Sequence, residues 1–189
     1  MERIVIVRKK IIVYFEIKCT VDDTLMLLVR TLSHNINNLL NVFSLGKQNL
    51  SDEHNKAIDA IHNKFKAFLS DLVWNPSCHN VSRFSAAVNE VILLAMSGTE
   101  TTTIQLKIIT ELSRILHESL RDEIKQIKDR LETLPKGSWK KNFNSSIDSI
   151  DNRLNALSAL KEIRTNPYAG NINTPILVLP KKFKLKLDK

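Results

Sequence analysis

Glycine is scarce in this chain of 189 residues: there are four, Gly46, Gly98, Gly137 and Gly170. No two lie close together, so no loop offers a run of backbone N–H groups to a phosphate. That excludes the P-loop and the dinucleotide fingerprint, and with them the common nucleotide-binding enzymes. Cysteine is rarer still, with Cys19 and Cys78 alone. Two distant cysteines without CxxC spacing make neither a disulfide framework nor a closed zinc site. A reducing, cytoplasmic compartment is the expectation. Aromatic residues are 6% of the chain, so aliphatic side chains must build the core, and a hydrophobic share of 43% is enough for one. An uncharged apolar run of about 18 residues does not occur, so no membrane-spanning helix is expected. The apolar start is broken by Arg8, Lys9 and Lys10 and lacks small residues for cleavage, so it does not read as a signal peptide.

What the chain has in excess is positive charge, +8 overall, and most of it sits at the two ends. Residues 1–10 hold Arg3, Arg8, Lys9 and Lys10 against Glu2; residues 181–189 hold Lys181, Lys182, Lys184, Lys186 and Lys189 against Asp188. If these ends meet, they form one basic surface for nucleic acid, an anionic membrane or an acidic protein. The plainer reading is that solvated lysines guard strand edges against aggregation.

The length suits a single domain over 1–189. Both ends read as strands, over 1–18 and 175–188. Ile4 to Val7 and Ile11 to Phe15 are β-branched and aromatic, and Phe183-Lys184-Leu185-Lys186-Leu187 alternates strictly. These strands are expected to pair into a small sheet lying on helices, because a lone hairpin is marginal in water.

Between them the spacing is helical. Asp22-Asp23-Thr24 opens a helix with the stripe Leu25, Leu28, Leu32, Ile36, Leu39 and Phe43. Ser51-Asp52-Glu53 caps a second, with Ile58, Ile61, Phe65, Phe68 and Leu72 inward. The short link predicts a hairpin over 22–75. A short helix is expected over 82–97. A long hairpin is expected over 101–164, turning at Pro135-Lys136-Gly137. Its first arm carries Ile104, Ile108, Leu112, Ile115, Leu120, Ile124, Ile127, Leu131 and Leu134; its second carries Trp139, Phe143, Ile147, Ile150, Leu154 and Leu157. The predicted fold class is mainly α: a bundle of about five helices with a small sheet formed by the N- and C-terminal strands.

One stretch carries a chemical suggestion. Residues 33–42 read S-H-N-I-N-N-L-L-N-V, and His34, Asn37, Asn38, Leu39, Leu40, Asn41 and Val42 fall where the H-box of sensor histidine kinases reads H-D-x-N-N-L-L. The segment over about residues 22–75 resembles the dimerisation and phosphotransfer hairpin of that family. The resemblance implies that His34 would take phosphate on its ring and pass it to an aspartate of a partner, and that Asn38 would position water. Family members carry an acid after the histidine; here it is Asn35, an amide that takes no proton. The glycine-bearing ATP-binding domain is also missing, so the resemblance implies a phosphotransfer adaptor rather than a kinase. Independently, at about 100° per residue Leu32 and Ile36 lie opposite His34, so the imidazole is expected to face water with Asn38 and Asn41 on its side. The plainer reading is a surface histidine among polar asparagines on a core helix.

Other constellations are thinner. His54 and His62 are eight apart, too far to share a metal through one helical turn, and the adjacent Cys78 and His79 have no second pair of ligands. Lys136, Lys140 and Lys141 beside Trp139 and Phe143 mix basic and aromatic residues as nucleic-acid surfaces do. No cofactor or metal is expected. The sequence therefore favours a non-enzymatic helical binding or assembly module with a protein partner, which a homodimer would also satisfy. The first alternative is a phosphotransfer-like signalling adaptor using His34 with Asn38. The second is a basic nucleic-acid-associated protein using Arg8, Lys9, Lys10, Lys181, Lys182, Lys184 and Lys186.

Overall fold

The computed structural model describes residues 21–73, 99–168 and 171–179. Four helices make up most of them. Helix α1 runs from residue 21 to Leu45, with one π-helical turn at Ser33–Asn37. Helices α2 (Asp52–Val73), α3 (Thr101–Glu132) and α4 (Ser138–Ser158) follow, then a hairpin of β1 (Thr165–Tyr168) and β2 (Asn171–Leu177). The strands at 1–18, the short helix at 82–97 and the basic residues Arg8, Lys9, Lys10, Lys181, Lys182, Lys184 and Lys186 lie outside the described residues.

Short turns make α1 and α2 one antiparallel pair and α3 and α4 another. Cross-contacts close the four into a bundle. Lys64 and Arg130 tie α2 to α3 by pairing with Glu123 and Glu53. Arg153 of α4 meets Asn35 of α1, and Phe143 of α4 stacks on Phe43 of α1. Each neighbour runs opposite to the next, an up-down-up-down order. One continuous apolar cluster joins all four helices and takes in Leu177 of β2.

The stripes of α2 and α4 fall as their spacing predicts. Ile58, Ile61, Phe65, Phe68 and Leu72 are buried in α2, and Phe143, Ile147, Ile150, Leu154 and Leu157 in α4. Trp139 is half-buried at the start of α4 and stacks on Phe143.

The stripe of α1 differs from its prediction. Thr24, Leu28, Leu32, Ile36 and Leu40 are buried at successive four-residue steps, and Phe43 closes the row. Leu25 and Leu39, expected inside, only pack against the core from its margin. A four-residue step overshoots a 3.6-residue turn by roughly 40°, so four such steps would swing the stripe by about 160°. The π turn holds more residues per turn and takes up that overshoot, which keeps the apolar row on one side. Helix α3 meets a longer run of four-residue steps, Ile104 to Ile124, without a π turn. Its buried face broadens instead, taking in Ile109 and Ser113, and Leu116 is buried where Ile115 was expected.

The end of α4 is also corrected. Helical spacing predicted it as far as residue 164; it stops at Ser158, and the chain turns into β1. Asn166-Pro167, a pair that would stop a helix, lies within that strand, with Pro167 opposite Pro175. Proline has no N–H to donate, and it is tolerated here because both strands of a two-stranded sheet are edges. The described sheet is thus a local antiparallel hairpin, with an irregularity between Pro167 and Tyr168. Of the predicted C-terminal strand, residues 175–177 belong to β2.

Candidate functional site

The π turn of α1 is the point where three elements meet. Asn35 donates from Nδ2 to the Thr31 carbonyl at 2.9 Å, one turn back along α1. Its Oδ1 accepts from Arg153 Nη1, and its own carbonyl lies 3.4 Å from the same nitrogen. Thr31 is fully buried, and its hydroxyl donates to the Leu27 carbonyl at 2.8 Å while accepting the Leu177 N–H at 2.9 Å. Asn35 therefore joins α4 to the π turn, and Thr31 joins β2 to α1. Satisfying these backbone groups in the interior is what makes a widened turn affordable there.

His34 sits in this turn. It is half-buried, with Nδ1 out of solvent, rather than facing water as its helical angle predicted. Asn38 and Asn41 are exposed on the same helix. The two residues named for phosphotransfer thus lie one turn apart, with Asn38 open and His34 partly covered.

A second histidine lies between α3 and α4. His117 Nε2 is 2.7 Å from Asp151 Oδ1; a carboxylate only accepts, so that nitrogen carries the proton. Lys128 donates to Asp151 Oδ2 at 2.7 Å and pairs with Asp148 at 3.1 Å. The His117 hydrogen bond, with Lys128 helping against partial burial, holds the Asp151 carboxyl well below its ordinary 3.8, at about 2. Burial would lower Lys128, but its bonds to Asp151 and Asp148 outweigh that and raise it.

His54 was missed as a site by sequence reasoning. It is buried in the first turn of α2, with Nδ1 2.6 Å from Ser51 Oγ and Nε2 3.0 Å from the Arg130 carbonyl at the end of α3. The Ser51-x-x-His54 spacing at a helix start was the legible half of this arrangement; the Arg130 half comes from a helix distant in the chain.

At the same end of the bundle, Lys136, Gly137, Lys140, Lys141 and Asn144 line a shallow groove. Lys140 is engaged by the fold, donating to the Glu132 and Leu134 carbonyls at 2.8 and 3.0 Å and so capping α3. Beneath it Trp139, Phe143 and Phe43 form a stacked row.

Exposed apolar side chains are few. Among the described residues the large hydrophobic side chains left exposed are Leu45 (72%) and Met26 (43%), both on α1, and Val178 (36%), directly after the strand that docks on α1. Described residues hold no group of three histidine, cysteine or acidic side chains placed for a metal, and no helix among them is long and apolar enough to cross a membrane.

The described residues form an antiparallel four-helix bundle with a hairpin laid on its first helix. Comparison with protein-family models, with curated proteins and with solved structures finds no match to this chain.

Proposed function

We propose that this protein is a binding module whose α1 side receives an acidic, amphipathic segment of a partner protein. The observation that supports it most is the placement of exposed apolar side chains: Met26 and Leu45 on α1, and Val178 beside it. Buried hydrophobic anchors supply most of the free energy of such contacts. The acidic character proposed for the partner rests on the net charge of the whole chain, +8 with a pI near 9.5, most of it at the two ends and not on α1, which carries Asp22, Asp23 and Arg30. Two copies of a strongly basic chain repel at ordinary salt, whereas an acidic partner is drawn in.

The test uses defined helical peptides with one apolar face and either an acidic or a basic polar face. The acidic peptide binds, its affinity falls with salt, and the double variant Met26→Glu with Leu45→Glu loses at least tenfold. Equal binding of the basic peptide, or a dimer by sedimentation that excludes the peptide, rejects this partner. Tighter binding of a single-stranded oligonucleotide would put the nucleic-acid reading first.

A second reading has its own observation. His34 occupies a π turn, and such turns recur at functional sites. With exposed Asn38 one turn on, it would serve as a phosphoryl carrier between partners. Incubation with phosphoramidate, a small phosphoryl donor, then yields an acid-labile, base-stable phosphate on the wild type and none on His34→Ala. Absence of label on the folded wild type ends this reading.

A further inference from the structure

We infer that Ser51 is an activated nucleophile and that Ser51 with His54 forms a site for acyl transfer from small aryl esters. The tautomer is set by the bonds around the ring. The Arg130 carbonyl can only accept, so His54 Nε2 carries the hydrogen across the 3.0 Å contact. In the neutral ring Nδ1 is then the acceptor, and the 2.6 Å contact has the Ser51 hydroxyl pointing its proton at the imidazole. The lone pairs of Oγ are left for attack, and Ser51 itself is exposed while its base is buried. This is the nucleophile, base and orienting group of a triad, met here as side chain, side chain and backbone carbonyl.

The orienting carbonyl is an unusual one. Arg130 O also accepts from the Thr133 N–H at 3.1 Å and the Thr133 hydroxyl at 2.7 Å, which fixes it in place. It belongs to the last turn of α3, a helix of 32 residues, where the partial negative charge of the helix end gathers. That charge stabilises an imidazolium as it forms, the task a carboxylate performs in the familiar arrangement. The Glu53–Arg130 ion pair at 2.7 Å clamps the two helix ends together.

The other requirement is a place for the negative oxygen. Ser51 immediately precedes α2, and its carbonyl takes the Asn55 N–H at 3.0 Å, the first bond of that helix. The backbone N–H groups of Asp52, Glu53 and His54 come before that bond and point out of the helix end, beside Ser51. In the reaction, Ser51 Oγ attacks the ester carbonyl carbon and its proton passes to His54 Nδ1. The carbonyl π electrons move onto oxygen, facing those N–H groups. As the tetrahedral species collapses, the C–O bond to the phenol breaks and the phenol oxygen takes the proton from Nδ1. Ser51 is left acylated, and water with the same base releases the acid.

The test is covalent labelling of the full chain with a fluorophosphonate probe, mapped by mass spectrometry, alongside turnover of p-nitrophenyl acetate. The wild type is labelled on Ser51; Ser51→Ala abolishes it, His54→Gln slows it at least about 100-fold, the scale of general-base assistance, and Ser145→Ala, at an exposed serine of α4, leaves it unchanged. His54→Gln could weaken the fold, so a second comparison keeps the outcome decisive. In Ser51→Cys the thiol alkylates with iodoacetamide at least tenfold faster than in folded Ser51→Cys with His54→Gln. Labelling spread over other serines, no label on Ser51, or equal alkylation rates would overturn the inference and leave Ser51 and His54 as a helix cap alone.

Discussion

Replacing Phe143 by alanine is expected to cost about 3–5 kcal/mol of folding free energy, the range for a buried aromatic ring cut back to a methyl group. Phe143 is fully buried. Its ring lies 5.2 Å from Phe43 with the planes 9° apart, and 5.6 Å from Trp139 at 28°. Truncation removes the middle of a three-ring row joining α1 to α4, and with it offset stacking worth about 0.5–1.5 kcal/mol per pair beyond area. The space cannot close easily, because Gly46 already lets the α1 backbone come close. A Cβ built there would sit 2.5 Å from Phe143 Cζ and 2.7 Å from Trp139 Cε3. Gly46 is held by this contact and not by its backbone angles, since its φ is −100°. Gly46→Ala alone should therefore cost about 1–3 kcal/mol by overpacking, while the same change made in Phe143→Ala should cost clearly less. Urea unfolding of the four proteins measures the coupling. Additive effects would mean that the glycine and the ring do not share this space.

The second large effect is a loss of stability in acid that depends on Asp151. Its carboxyl titrates at about 2 in the fold against 3.8 ordinarily, chiefly through the His117 hydrogen bond. Between those values the unfolded chain binds the proton and the folded one does not. Stability from this group is therefore fully present above the ordinary value and is lost as pH falls toward 2. The expected result is a Tm that drops through this window in the wild type and drops less in Asp151→Asn, the two curves converging at the acid end. Above pH 5 the variant is the less stable, because Lys128 keeps only Asp148 as an ionic partner and His117 loses its carboxylate. Parallel curves for the two proteins would show that Asp151 is not the group being titrated.

How far the sequence could be read depended on whether each helix keeps the ideal period. In α2 and α4 it does, and every predicted core residue from Ile58 to Leu72 and from Phe143 to Leu157 is buried. The two hairpins followed from their short turns. In α1 the period is not constant, so an ideal wheel chose Leu39 where the fold buries Leu40; His34, expected to face water, is half-covered. Thr31 gave no signal either: a threonine among leucines looks like a blemish in a stripe until β2 arrives to donate to its hydroxyl. The hairpin at 165–177 was hidden because Pro167 reads as a helix terminator whatever follows it. His54 was legible as the third residue after a capping serine, but its bond to Arg130 spans 76 positions of chain, beyond any local rule.

The swollen turn at Ser33–Asn37 lets α1 behave as two shorter rods set at different rotational phases on one axis. Upstream, Leu28 and Leu32 keep the setting that β2 needs; downstream, Leu40 and Phe43 keep the setting that α4 needs. A uniform rod could satisfy one of these neighbours only by twisting away from the other. The joint between the phases is where Arg153 takes hold, so a single guanidinium sits on the coupling that keeps both halves in step.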